Sequence, residues 1–145
     1  FVINDDIEVA RACNADGVHI GQDDAAVSEA RRILGPDKII GVSAHTVDEA
    51  RAAEQAGADY LGVGAVFSTS TKLDADIVTL QTLRGIRAAV SIPIVAIGGI
   101  NVENMLQLKG SGIDGAAVVS ALFAQQDVYA AAKRLYATSK ELVFG

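Results

Sequence analysis

The sequence predicts an α/β chain of parallel strands with helices outside, of the (β/α)-barrel type. Three observations carry this. Short apolar runs alternate with helical patterns at a rhythm of roughly 22 residues. The runs are rich in β-branched residues or flanked by glycine, as strands covered on both faces are. The last two runs end in small residues, Ile97-Gly98-Gly99-Ile100 and Gly115-Ala116-Ala117-Val118-Val119-Ser120-Ala121. A glycine pair at a strand end lets backbone N–H groups approach an anion. The loops after the last two strands of a β/α barrel frequently build a phosphate site. Ser120 adds a hydroxyl to it.

Strand-like runs begin near Phe1, Val18, Ile39, Tyr60, Ile92 and Ala116. Between them, Val27, Ala30, Ile33 and Leu34 recur at helical spacing, with Asp24 opening the helix. Val47, Ala50, Ala53 and Glu54 mark the next. Thr46 with Glu49 forms a capping box before it and Gly57 ends it. Leu80, Leu83, Ile86, Arg87 and Val90 mark a third helix. Asn101 opens a fourth, expected to run to Gly110 or Gly112. A fifth, Ala-rich, runs from about Asp127 to Leu142, with Lys133, Arg134 and Lys140 toward its negative end. Pro36 fits a turn and Pro93 a strand start. Three segments, Asn14-Ala15-Asp16-Gly17, Gly57-Ala58-Asp59-Tyr60 and Gly112-Ile113-Asp114-Gly115, precede strands as helix stops followed by an Asp turn.

Six strand–helix units result, against the eight of a closed TIM-type barrel. The first residue already lies in a strand, so the missing two are expected to be the first two. Residues 1–145 then form a single barrel domain, incomplete at its N-terminus. A doubly wound sheet is the alternative. Its phosphate fingerprint would follow the first strand, where Asn4-Asp5-Asp6 stands instead.

Lys and Arg total 12, Asp and Glu 18, for a net charge of −6. That argues against a nucleic-acid surface. The one cysteine, Cys13, excludes an internal disulfide and a zinc cluster. Cys13 reads as a small core residue in a helical run. No run of about 20 apolar residues and no basic-then-apolar opening is present. A cytoplasmic protein without membrane partners is expected.

Polar residues crowd the strand ends, where barrel enzymes keep their chemistry. Asn4-Asp5 follows the first strand and Gly21-Gln22-Asp23-Asp24 the second. Ser43-Ala44-His45 follows the third and Thr69-Ser70-Thr71-Lys72 the fourth. Asp5 with Asp23 or Asp24 supplies two carboxylates, which suit Mg²⁺ beside substrate phosphates. Asp6 and Asp23 taken singly read as helix caps. Thr69 to Lys72 offers three hydroxyls and a cation for a phosphate or diphosphate. His19 reads as structural. His45 is placed to touch a ligand, although nothing in the sequence pairs it with an acid.

These motifs, with Gly17-Val18-His19-Ile20 and Gly41-Val42 before the second and third clusters, resemble the thiamine-phosphate synthase (thiamine-phosphate pyrophosphorylase) family along essentially the whole chain. The resemblance implies a transferase of thiamine biosynthesis. It joins a hydroxymethylpyrimidine diphosphate to a thiazole phosphate and releases pyrophosphate. It further implies that Asp5 and Asp24 hold Mg²⁺ and that Asn4, Ser43 and Lys72 contact the pyrimidine diphosphate. Lys72 and Ser43 are the residues nearest the chemistry. Thr69, Ser70, Thr71, Gly99, Val119 and Ser120 hold the thiazole phosphate. Two departures stand out. Ser68 occupies a position where the family usually has proline, and the Gln-x-Arg-x-Lys stretch that grips the diphosphate is absent. The chain alone is therefore expected to be inactive, with open sheet edges that invite a homo-oligomer. A thiazole tautomerase-like relative, or a non-catalytic chain that binds thiazole phosphate, are the alternatives. The retained Asp5, Asp24 and Lys72 argue against a tautomerase, which has no diphosphate to neutralise.

Overall fold

The computed structural model describes residues 1–68 and 77–144. Six strands form one parallel sheet in sequence order: β1 (Val2–Asn4), β2 (Gly17–Ile20), β3 (Ile39–Ala44), β4 (Tyr60–Val63), β5 (Ile94–Ile97) and β6 (Gly115–Ala117). Each strand pairs with the one that follows it in the chain, the pattern of a TIM-type barrel wall. Helices α1 (Ile7–Ala12), α2 (Asp24–Leu34), α3 (Val47–Ala56) and α4 (Leu80–Ala89) follow the first four strands. A short α5 (Ser120–Phe123) and the long α6 (Val128–Phe144) follow β6. No helix among the described residues is long and apolar enough to cross a membrane.

The helix signals read from sequence act as expected. Thr46 Oγ1 accepts from Glu49 N–H, and Glu49 caps Thr46 in return. Asp6 Oδ1 accepts from Val9 N–H, confirming Asp6 as the cap of α1. The fourth helix differs. Only a 3₁₀ turn, Met105–Leu108, forms where a helix to Gly110 was expected. Asn101 Oδ1 accepts from Glu103 and Asn104 N–H, so the local turn takes up the donors that would have started a longer helix. Cys13 also departs from expectation. It caps the C-terminal end of α1 and is exposed, because Ala10 is the α1 residue turned into the core.

The sheet has two unlike faces. Val18, Ile20, Ile40, Val42, Leu61 and Val63 are buried with the helical core residues Val27, Ala30, Ala50, Ala53, Leu83 and Ile86. Alternation puts His19, Gly41, Ser43, Tyr60 and Gly62 on the other face. The pairing register sets His19 beside Gly41, Gly41 beside Tyr60, and Ser43 beside Gly62. The expectation of strands apolar on both faces therefore holds for the helix side only. The inner face of β2–β4 is polar or bare.

The repeated Asp turns explain how the strand bases are tied. Asp59 N–H donates to Ile40 O (2.8 Å), and its carboxylate accepts from Ile40 N–H (2.7 Å). Asp114 does the same to Ile94, at 2.8 Å in both directions. Asp16 does so to Phe1, at 2.8 and 2.7 Å. Arg31 joins Asp59 at 2.8 Å and Arg87 joins Asp114 at 3.3 Å. These clamps lie at the N-terminal ends of the strands, away from the polar strand ends.

Candidate functional site

A cavity of about 380 Å³ opens at the C-terminal ends of the strands. Asn4, His19, Ser43 and His45 line one side, and Gly98, Gly99, Val119 and Ser120 the other. Strand ends far apart in sequence thus converge on one space. Of the residues expected to bind substrate, Asn4, Ser43, Gly99, Val119 and Ser120 all lie there. Thr69, Ser70, Thr71 and Lys72 lie outside the described residues.

Asp5 follows β1 in a left-handed conformation, φ +66°, which Asp tolerates better than most side chains. Its N–H donates to His19 O (2.8 Å), tying the turn to β2. Asn4 Nδ2 donates to Asp5 Oδ2 (2.8 Å), so one acidic oxygen is oriented and the carboxylate stays exposed. Asp24 is the first residue of α2, and its side chain lies outside the described residues. Asp23 stands just before it, its carbonyl accepting from Ala26 and Val27 N–H. Among the described residues no group of three His, Cys, Asp or Glu side chains could hold a metal. Mg²⁺ asks for less, one or two carboxylates plus substrate oxygens and water. Asp5, exposed and hydrogen-bonded to the cavity-lining Asn4, offers one carboxylate of that kind.

The glycine pair has a clear steric reason. Gly98 and Gly99 have φ of +98° and +65°. A Cβ on Gly98 would sit 2.5 Å from Ala65 Cα, and one on Gly99 2.9 Å from Phe67 Cβ. Phe67 N–H donates to Gly98 O (3.1 Å), and Asn104 Nδ2 to Gly99 O (2.9 Å). The pair lets the chain after β4 lie directly on the end of β5. Val119 caps α5, and Ser120 begins it at the cavity edge.

Two histidines gain partners that the sequence did not reveal. His45 Nδ1 bonds with Gln22 Nε2 and lies 3.5 Å from Glu49 Oε2. That same Glu49 oxygen accepts from His45 N–H at 2.6 Å. Glu49 is legible as half of a capping box, and its carboxylate also takes up the His45 backbone N–H. His19 Nδ1 lies 3.0 Å from the Tyr60 hydroxyl, and Nε2 lies 3.1 Å from Ser43 Oγ. Burial pushes the Tyr60 phenol above its ordinary value, so it keeps its proton.

A family model described as thiamine monophosphate synthase matches residues 1–122. The chain belongs to the thiamine monophosphate synthase family. It is 55% identical over 135 residues to thiamine-phosphate synthase of Ruminiclostridium cellulolyticum, covering 93% of this chain and 64% of that protein. It is 56% identical over 138 residues to that of Chloroflexus aurantiacus, covering 94% and 63%. The chain thus spans less than two thirds of the length of these curated members. A solved family structure, thiamine phosphate pyrophosphorylase from Pyrococcus furiosus, superposes with a TM-score of 0.90 at 43% identity, covering 100% of this chain and 69% of that one. That family member therefore carries the fold described above over the region it shares with this chain.

Proposed function

We propose that the protein acts as a thiamine-phosphate synthase, joining hydroxymethylpyrimidine diphosphate to thiazole phosphate with release of pyrophosphate. One observation carries this beyond family membership: Ser43 and Ser120, on units far apart in the sheet, open on one cavity. A two-substrate coupling needs such an arrangement, with one anionic group held on each side and the reacting atoms between them.

In this reading, Asn4 and Ser43 donate to the diphosphate, and Lys72 sets a positive charge beside it. Ser120, with the backbone at Gly99 and Val119, receives the thiazole phosphate at the start of α5, and the resemblance gives Thr69, Ser70 and Thr71 the same ligand. The thiazole nitrogen attacks the methylene carbon of the pyrimidine. The carbon–oxygen bond breaks, and its electron pair leaves with the diphosphate. The protein orients the partners and supplies donors to the departing charge, and no side chain acts as nucleophile. Asp5 and Asp24 would hold Mg²⁺, which supplies charge neutralisation at the diphosphate. The six units are read as six of the eight of one barrel domain, in a cytoplasmic enzyme that works on small molecules and forms its own oligomers.

The test is thiamine phosphate formation from the two substrates by the complete natural protein that carries this chain. Ser43→Ala is expected to raise the KM of the pyrimidine diphosphate and leave that of the thiazole phosphate in place. Absence of product from the unaltered protein, with both substrates bound in calorimetry, would overturn the proposal.

A further inference from the structure

The Tyr60–His19–Ser43 chain crosses three adjacent strands and ends at the cavity. Its members are fitted to one another by bare backbone. A Cβ on Gly41 would overlap the Tyr60 ring, and one on Gly62 would sit 2.7 Å from His19 Cε1. The imidazole and the phenol therefore lie flat across β3 and β4, in space that only glycine leaves.

The two hydrogen bonds can be arranged in opposite senses. In one, Ser43 donates to His19 Nε2, and Nδ1–H donates to the Tyr60 oxygen. Ser43 then offers the cavity only lone pairs. In the other, Tyr60 donates to Nδ1, Nε2–H donates to Ser43, and the serine hydrogen is free to point into the cavity. The phenol decides between them. His19 is the one hydrogen-bond partner of the Tyr60 hydroxyl among the described residues. In the first sense, or with a doubly protonated ring, no described residue accepts the phenol hydrogen, whereas the second sense satisfies it within the protein. In the second sense every hydrogen of the chain is taken up once the cavity holds an acceptor.

We propose that Tyr60 and His19 are positioning residues that orient Ser43 as a hydrogen-bond donor, so that this side of the cavity takes an anionic group such as a diphosphate. This rests on the assignment of Ser43 to the pyrimidine diphosphate. It adds that Ser43 does not act alone, and that its sense is set by groups on the two neighbouring strands, β2 and β4.

The experiment combines imidazole ¹⁵N NMR with kinetics on the complete natural protein. In the unaltered protein, His19 is expected to carry its proton on Nε2, with Nδ1 unprotonated, and inorganic pyrophosphate should leave that tautomer in place. Tyr60→Phe keeps the ring and removes the donor. It should shift the proton toward Nδ1 and raise the KM of the pyrimidine diphosphate on the order of tenfold. The KM of the thiazole phosphate should stay constant. In a Ser43→Ala background, Tyr60→Phe should have no further effect, since its influence passes through that hydroxyl. A proton on Nδ1 in the unaltered protein, equal changes in both KM values, or a Tyr60→Phe effect that survives Ser43→Ala would each overturn the relay. If the unaltered protein makes no thiamine phosphate, the assigned reaction fails, while the tautomer still decides the relay.

Discussion

Gly62 faces the imidazole of His19 so closely that a Cβ there would stand 2.7 Å from His19 Cε1. Gly62→Ala should therefore turn the ring without unfolding the sheet. The expected cost is about 1–3 kcal/mol, the usual penalty of an overpacked site. Binding of the pyrimidine diphosphate should weaken with it. Urea denaturation and calorimetry on the same variant check both, and an unchanged affinity would separate the ring position from binding.

Gly99 carries two constraints at once, φ +65° and the carbonyl oxygens of Ser68 and Phe67 together with the Phe67 Cβ, which leave no room for a Cβ. Gly99→Ala is expected to destabilise by about 1–3 kcal/mol, because strain and crowding add. A thermal melt measures the loss. A neutral result would mean that the chain after β4 can lift away from β5.

Ser120→Asp places a carboxylate where the thiazole phosphate is expected. Affinity for that substrate should fall below detection in calorimetry, while pyrimidine diphosphate binding persists. Retained thiazole phosphate binding would move the phosphate elsewhere in the cavity.

The strands were legible because glycine, proline and the Asp turns punctuate them, and all six form within two residues of where their runs begin. The fourth helix gives way to a 3₁₀ turn because Asn101 is both a good helix start and a good turn former, and the turn prevails. Half of the site was legible too. Asn4, Ser43, Gly99, Val119 and Ser120 each lie at or just beyond the C-terminal end of a strand, and those ends share one mouth. His19 was not, because its role depends on register. Only the pairing of β2 with β3 and of β3 with β4 brings Ser43 and Tyr60 to it and puts the bare Gly62 under its ring.

Asp59 holds both backbone groups of Ile40 and the Arg31 guanidinium. Asp59→Ala should cost about 1–2 kcal/mol in urea denaturation, since a backbone N–H at a half-buried strand start loses its acceptor. The Arg31 pair adds little to that, because 45% of the Asp59 side chain is exposed. Michaelis constants should not move, as the clamp sits at the opposite end of the strands from the cavity. A changed KM would show that the two ends communicate.

Glu54 reaches from α3 to the turn before β5. The Ser91 hydroxyl and Ser91 N–H, followed by Ile92 N–H, donate to it and hold its carboxyl below the usual glutamate value. A depressed folded value means that the unfolded chain binds the proton more readily. The stabilisation is full above the unfolded value of about 4.3 and is lost as the pH falls through the lower folded value. Glu54→Gln should flatten that acid limb of the stability curve and leave its shape near pH 7 alone. Denaturation midpoints between about pH 3 and 7 would reveal an unchanged limb, which would count against the assignment.

The three Asp clamps share a direction. Asp16 precedes β2 and holds the residue before β1. Asp59 precedes β4 and holds β3, and Asp114 precedes β6 and holds the first residue of β5. Each even unit thus carries the fastening of the odd unit before it, and the sheet is built of pairs. A sequence that grows or shrinks by two units keeps every fastening intact. One that changes by a single unit strands either an acid without its backbone partner or a strand base without its acid.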